Sequence, residues 1–503
     1  MKFTREIIIS LMIILLIPLG AMSKPLEEKK WIRGESENFE IISRHSKGET
    51  VDLLRSLEVF RAVMKRFIRS DQSIAEPHLI LALADRKELA EIGGPGRSVA
   101  GMFSSGLRQN ISIVVEISNM DETQIMLHEY AHFLMRTYSA AAYPTWYQEG
   151  FAEFMGTSRV RGDVVELFRA PEGRLNVLLY FDWLDPKQLL DSSEFEDLGE
   201  IDTALFYAQA WILVHYLHNR PEGEPTISEG NARYSQLRST GMGEITAFEE
   251  AFELNTKILN RKLANYLNTK CCRYGKLNIS DILKNFTPEF SSPTPSQVAQ
   301  KLGRVALRLE SPKSARSWFE VASRDPKLEA RALSGVAQSL YEQHEFAAAE
   351  QALELAISIA PEDPYLWLDQ GNFWYWRAEA TEDGDLRAKY GAAASTSYDN
   401  AAMLSLSSTE LLAMQAKLIL VSDGDLDLAV SNLEEAQLNA PSDLMIKLAL
   451  ATAYARIGRP KEAIQMCRTI IRWPHISEET RQNARDLLRK LNESESATAS
   501  DAQ

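Results

Sequence analysis

Four segments of the C-terminal half can be laid on one another: PKSARSWFEVASRDP (312–326), EFAAAEQALELAISIAP (345–361), DLDLAVSNLEEAQLNAP (425–441) and GRPKEAIQMCRTIIRWP (458–474). Each reads as an amphipathic helix that stops at a proline, at Pro326, Pro361, Pro441 and Pro474. The spacings are 35, 80 and 33 residues, and the 80 reads as two units with an insertion in RAEATEDGDLRAKYGAAAS (377–395). Partner helices lie between them, such as ALSGVAQSLYEQ (332–343) and LALATAYARIGR (448–459). A helix apolar on one stripe cannot close a core alone, so such units must stack on their neighbours.

A period near 34 made of helix pairs resembles the tetratricopeptide repeat, over roughly residues 296–475. Small residues such as Ala348 and Ala463 let paired helices approach closely. The resemblance implies an all-α solenoid over 291–476 with a concave face that takes an extended peptide or a partner's helix. SEETRQNARDLLRKLNE (477–493) reads as the polar capping helix such stacks need, and 494–503 as a disordered tail. PYLWLDQGNFWYWRAEA (364–380) crowds Trp367, Phe373, Trp374, Tyr375 and Trp376 into one unit. One or two of them are expected to stand exposed as anchors for a protein partner.

The N-terminal half has a different texture. NFEIIS (38–43), HLILALAD (78–85), SVAGMFSS (98–105) and ISIVVEIS (111–118) are short, rich in β-branched residues and bounded by turn formers. After residue 120 the pattern turns helical. Strands first and helices second predict an α+β domain over 24–290. NFTPEFSSPTPSQ (285–297) has the composition of a linker to the repeats.

The chain opens with MKFTREIIISLMIILLIPLGAMSK. A basic start, an apolar run from Ile7 to Leu19 and the small-x-small site Ala21-Met22-Ser23 read as a signal peptide over 1–23. The expected protein is exported, periplasmic or extracellular, with no stable membrane insertion after cleavage; an uncleaved N-terminal anchor is the other reading. A net charge of -15 argues against a nucleic-acid partner. Three cysteines, Cys271, Cys272 and Cys467, are too few for a disulfide framework in a chain of 503 residues.

DETQIMLHEYAHFLMRTY (121–138) reads as one helix. His128 and His132 are four apart and share a face, so both imidazoles can reach one Zn2+. Glu129 lies about 100° round the helix, where it flanks a metal rather than binding it. It can there take a proton from a metal-bound water. By chance alone, H-E-x-x-H would occur in on the order of 1% of such chains. A catalytic zinc needs three protein ligands and one open position, and Pro144 can start a second helix in PTWYQEGFAEF.

This combination resembles the gluzincin metallopeptidases, which include thermolysin and the zinc aminopeptidases. In that family the third ligand is a glutamate on the next helix, within a segment like YQEGFAEF. The resemblance therefore implies that Glu149 is the third ligand of one zinc and Glu129 the general base. It implies that Glu153 orients a ligand histidine, with Glu153 as ligand the alternative. Tyr207, in IDTALFYAQAWILVHYLH (201–218), matches the family's oxyanion-stabilising tyrosine, with a packed core tyrosine the alternative. His215 and Tyr216 read as core. AFEEAFELNTKILNRKLANYL (247–267) looks like the family's closing helices, so the likeness covers most of 31–267.

Two departures limit it. The strand matching the aminopeptidases' amine-binding segment, SVAGMFSSG (98–106), carries no acid, although it can still pair with an extended peptide. Their large N-terminal β-domain is also missing. The expected function is an exported zinc metallopeptidase, endo- or exo-acting, with peptide or protein substrates recruited by the repeats. The alternative is a catalytically inactive, peptidase-like scaffold.

Overall fold

The computed structural model describes residues 24–68, 77–94, 101–115, 120–138, 143–191, 198–269, 271, 273–441, 443–471, 473 and 476–501. The signal segment expected at 1–23, residues 98–100 and Pro474 lie outside them. Among the described residues no helix is long and apolar enough to cross a membrane.

In chain order the strands are β1 (Ile32–Glu35), β2 (Phe39–Ser43), β3 (His78–Leu83), β4 (Gly101–Ser104), β5 (Ile111–Val115), β6 (Arg159–Arg161), β7 (Val164–Leu167), β8 (Gly275–Asn278) and β9 (Glu289–Ser291). Six of them form one mixed sheet in the order β4-β5-β3-β2-β1-β9, with β2–β3 and β3–β5 parallel and the other pairs antiparallel. β6, β7 and β8 form a separate small sheet. The helices of this half are α1 (Lys47–Ile68), α2 (Arg86–Ile92), α3 (Met120–Tyr138), α4 (Thr145–Gly156), α5 (Glu172–Tyr180), α6 (Pro186–Leu190), α7 (Glu200–His218), α8 (Ile227–Ser239), α9 (Glu244–Phe252), α10 (Leu259–Thr269) and α11 (Ser280–Leu283).

Side chains alternate across a strand, and the two faces of the large sheet enter different cores. Phe39, Ile41, Ile80, Ala82 and Val114 join α1, α3, α4, α7 and α9 in front. Ile42, Leu79, Leu81, Leu83, Ile111 and Ile113 join Leu26 and Trp31 behind, together with α12 (Pro295–Arg308) and α13 (Pro312–Ala322), the first helix pair of the C-terminal half.

The expected linker at 285–297 is therefore structured. Glu289–Ser291 is β9, hydrogen-bonded to β1, so a boundary at 290/291 falls inside a strand of the sheet. Thr294 and Gln297 form a capping box at the start of α12. The prolines that gave the linker look flank an edge strand (Pro288, Pro293) or occupy the first turn of a helix (Pro295), where proline costs no backbone hydrogen bond. From α12, Val298, Leu302, Val305 and Ala306 pack on the back of the sheet. The two halves share a core.

The remaining helices are α14 (Glu329–Glu342), α15 (Phe346–Ile359), α16 (Pro364–Ala380), α17 (Gly384–Met403), α18 (Thr409–Val421), α19 (Leu426–Asn439), α20 (Leu444–Arg456), α21 (Pro460–Ile471) and α22 (Glu478–Asp501). With α12 and α13 they make five helix pairs and a capping helix. The long spacing is absorbed by lengthening: α16 has 17 residues and α17 has 20, and Asp383 caps α17 after a short break. α22 continues to Asp501, so the segment expected as a tail from 494 is helical to that point. The aromatic cluster of α16 is packed rather than displayed. Phe373 and Tyr375 are buried, and Trp367, Trp374 and Trp376 are half-buried. Trp374 stacks on Tyr390 and Trp376 meets Tyr341, because the longer α17 and neighbouring α14 cover them. Cys271 is disulfide-bonded, and Cys467 is a free, buried thiol whose burial pushes its pKa up to about 11.

Candidate metal centre

The site is assembled by α3, α4, α5 and α7. Helix α4 starts at Pro144, whose carbonyl accepts from Tyr147 and Gln148. It runs through the core with every residue from Thr145 to Gly156 buried. Gly150 makes that path available: a Cβ there would collide with the Ala210 carbonyl of α7. Two carboxylates, Glu149 and Glu153, are thereby carried into the interior, where an ionised group is costly without a cation.

Glu149 faces α3. Its Oε2 lies 3.3 Å from His128 Nε2 and 3.2 Å from His132 Nε2, and the two Nε2 atoms are 3.1 Å apart. These three residues form the metal-capable group found among the described residues. Tetrahedral zinc with ligands at about 2.0–2.1 Å spaces its ligand atoms about 3.3 Å apart. The observed triangle matches one face of such a tetrahedron to within a few tenths of an ångström, so the donor set fits Zn2+. Two imidazoles and one carboxylate are also the ligand chemistry of catalytic zinc.

Glu153 stands behind the triangle. Its Oε1 is 3.5 Å from His128 Nδ1, the nitrogen turned away from Glu149, and accepts a 2.7 Å hydrogen bond from Arg174 Nη2. This is the position of a group that orients a ligand histidine. Arg174, on α5, also stacks over the Tyr207 ring at 4.9 Å, and that ring lies 6.1 Å from the His128 ring. Glu129 is outside the triangle. Its charge acts on His128, Arg136 and Tyr207.

The two histidines respond differently to one environment. Burial works against charge on His128, but the Glu149 hydrogen bond and the Glu153, Glu149 and Glu129 carboxylates outweigh it and raise its pKa. Burial lowers that of His132; Glu149 opposes this, while His128 and Arg136 reinforce it. A neutral His132 is the form that binds metal. Burial, then the Glu149, Glu129 and Glu153 carboxylates, raise the Tyr207 phenol pKa, and Arg174 partly offsets them. Tyr207 therefore stays protonated at neutral pH, as a hydrogen-bond donor.

Of the residues singled out in the sequence, His128, His132, Glu149, Glu153 and Tyr207 lie together here, and Glu129 acts on His128 and Tyr207 through its charge. His215, by contrast, is buried and bonded to the Tyr266 hydroxyl at 2.7 Å, and is core as expected. The sequence reading misses Arg174 and Arg136. Arg136 is one turn beyond His132 and could have been found from its spacing. Arg174 lies in a stretch with no motif, and only the fold brings it in.

The tetratricopeptide-repeat family matches residues 301–364 and 418–475. The stretch between those matches contains the lengthened third helix pair. The C-terminal half is therefore a tetratricopeptide-repeat solenoid. No curated protein matches the chain. Similar solved structures include a thermophilic tetratricopeptide-repeat protein of Thermus thermophilus, with 18% identity, 38% of this chain and 98% of that one covered, and a TM-score of 0.34. Yeast Tom70 gives 16% identity, 63% and 66% coverage and a TM-score of 0.32. Human IFIT1 gives 14%, 64%, 70% and 0.28.

Proposed function

We propose that this chain binds another protein through its repeats and carries in its N-terminal half a zinc centre built to hydrolyse peptide bonds. The repeat match supports the first part. The second rests on one observation, the 3.1–3.3 Å triangle of His128, His132 and Glu149. The gluzincin resemblance of the motif agrees with it.

Zinc, when bound, supplies Lewis acidity that acidifies a water and polarises a carbonyl. Glu129 accepts the proton of the attacking water on its carboxylate and passes it to the leaving amine. Tyr207 donates its phenolic hydrogen to the developing oxyanion. Glu153, held by Arg174, fixes the His128 ring through Nδ1. Among the described residues β4 is the outer strand of the large sheet and lies against α3, so an extended substrate can pair with its outer edge.

The repeat match favours a second reading, a protein-binding scaffold whose centre holds metal without turnover. Zinc content and casein cleavage, measured on the wild type and Glu129→Gln, separate the two. Cleavage by the wild type alone supports the peptidase. Metal without cleavage in both leaves the scaffold.

A further inference from the structure

The stretch from Asn285 into β9 forms one wall of a cavity of about 620 Å3, and α1 and the β1–β2 turn form the others. That size is typical of ligand sites. None of the residues lining it belongs to the metal centre or to the repeats.

Its charges are separated rather than paired. On α1, Glu58, Arg61, Ala62 and Lys65 follow the helical spacing and share the face that lines the cavity. Arg61 is 4% exposed, and a guanidinium buried so far is costly without a carboxylate. Among the described residues neither Arg61 nor Lys65 has an ion-pair partner. Arg61 Nη1 lies 3.5 Å from the Tyr130 hydroxyl, and Lys65 Nζ lies 5.8 Å from the centre of the Tyr138 ring. Glu58 is held by neutral donors. Its Oε1 accepts from Ser36 Oγ at 2.7 Å and from the Asn38 backbone N–H at 2.9 Å, and its Oε2 accepts from Asn38 Nδ2 at 2.7 Å. Among the described residues no cation pairs with it, and it acts on Arg61 through space. Two further acids stand at the same end: Glu37, in the turn that holds Glu58, and Glu289, opposite Glu35 on β9.

A simple anion would satisfy the basic end of this cavity and be repelled by the acidic one, and a simple cation the reverse. A ligand carrying both charges satisfies both with charge-assisted hydrogen bonds. Glu58 and Lys65 are seven residues apart on α1, about 10 Å along its axis. Two or three extended residues span that length at about 3.5 Å each. Ile282 and Phe286 supply apolar contact for a side chain. We propose that this cavity binds a short peptide with free ends, its ammonium at Glu58 and its carboxylate at Arg61 and Lys65. The inference goes beyond the peptidase reading and needs neither bound metal nor turnover, so the two can fail separately.

Isothermal titration calorimetry on the full chain tests this, with leucyl-leucine, its N-acetyl and C-amide forms, free leucine and acetate as probes. Leucyl-leucine should bind, and each end-blocked form should bind at least about tenfold more weakly, the effect of losing one charge-assisted contact. Glu58→Gln should weaken the free dipeptide about tenfold and change the acetylated form little, because the two changes remove the same contact. Lys65→Gln should weaken the free dipeptide and spare the amide in the same way, and it keeps the test open should Glu58→Gln disturb the β1–β2 turn. His132→Ala should bind the dipeptide as the wild type does, since the metal centre takes no part. Equal binding of the free and end-blocked dipeptides would overturn the charge-separated site. Acetate or leucine binding as tightly as the dipeptide would overturn the ligand class. Loss of binding in His132→Ala would move the dipeptide to the metal centre and overturn the proposal, as would a wild type that binds none of the probes.

Discussion

His132 Nε2 and Glu149 Oε2, 17 residues apart in sequence, lie 3.2 Å apart across the packed faces of α3 and α4. The contact depends on Gly150, which lets α4 lie close enough to α7 to hold Glu149 inside the protein. A buried carboxylate facing two imidazoles is an expensive arrangement that one divalent cation resolves.

Glu129→Gln should leave zinc bound and reduce peptide turnover by at least about 10²–10⁴-fold, the contribution of a positioned general base. Parallel metal analysis and single-turnover cleavage check it. Turnover near the wild-type rate would remove Glu129 from the chemistry.

Tyr207→Phe should lower kcat by about 10²–10³-fold, the effect of losing one oxyanion donor. KM should change little. An unchanged kcat would make Tyr207 a packing residue beneath Arg174.

Cutting the chain after residue 290 should unfold the N-terminal half rather than release a working domain. The back of the sheet, including Ile42, Leu79, Leu81, Leu83, Ile111 and Ile113, is covered in part by α12 and α13. Exposing even four such side chains costs on the order of 6–12 kcal/mol, the entire stability of a typical domain. Circular dichroism and thermal melting of residues 24–290 test this. A cooperative melt close to that of the full chain would contradict the shared core.

Stability should fall on mild acidification. The His215 pKa is lowered by burial from 6.5 to about 4, and that of His218 to about 4 by burial and then His215. The unfolded chain takes up these protons near pH 6.5, the folded chain only near pH 4. Stability is therefore full above pH 6.5 and declines as the pH falls towards 4, by on the order of 3 kcal/mol for His215. Urea midpoints between pH 7.5 and 4.5 should trace the loss, and His215→Gln should flatten it. A wild-type midpoint independent of pH would refute the assignment.

Much of this was legible because it is local. Repeats with a terminal proline, strands such as Phe39–Ser43 and the four-residue spacing of His128 and His132 are written in short windows. Glu149 needed a likeness to a known segment, since nothing in its spacing says that α4 folds back on α3. β9 was hidden because Pro288, Pro293 and Pro295 make a strand end and a helix start look like a linker. Arg174 and Arg108 were illegible: their partners, Glu153 and Tyr207 in one case, Asp369 and Glu410 in the other, are fixed only by tertiary packing.

We propose that His128, His132 and Glu149 together hold one zinc. Elemental analysis of the purified full chain, alongside His132→Ala and Glu149→Ala, tests it most directly. The expected result is one zinc per wild-type chain and substoichiometric metal in both variants, with the fold retained by circular dichroism. Stoichiometric zinc in His132→Ala, or a metal-free wild type after dialysis against micromolar zinc, would contradict it.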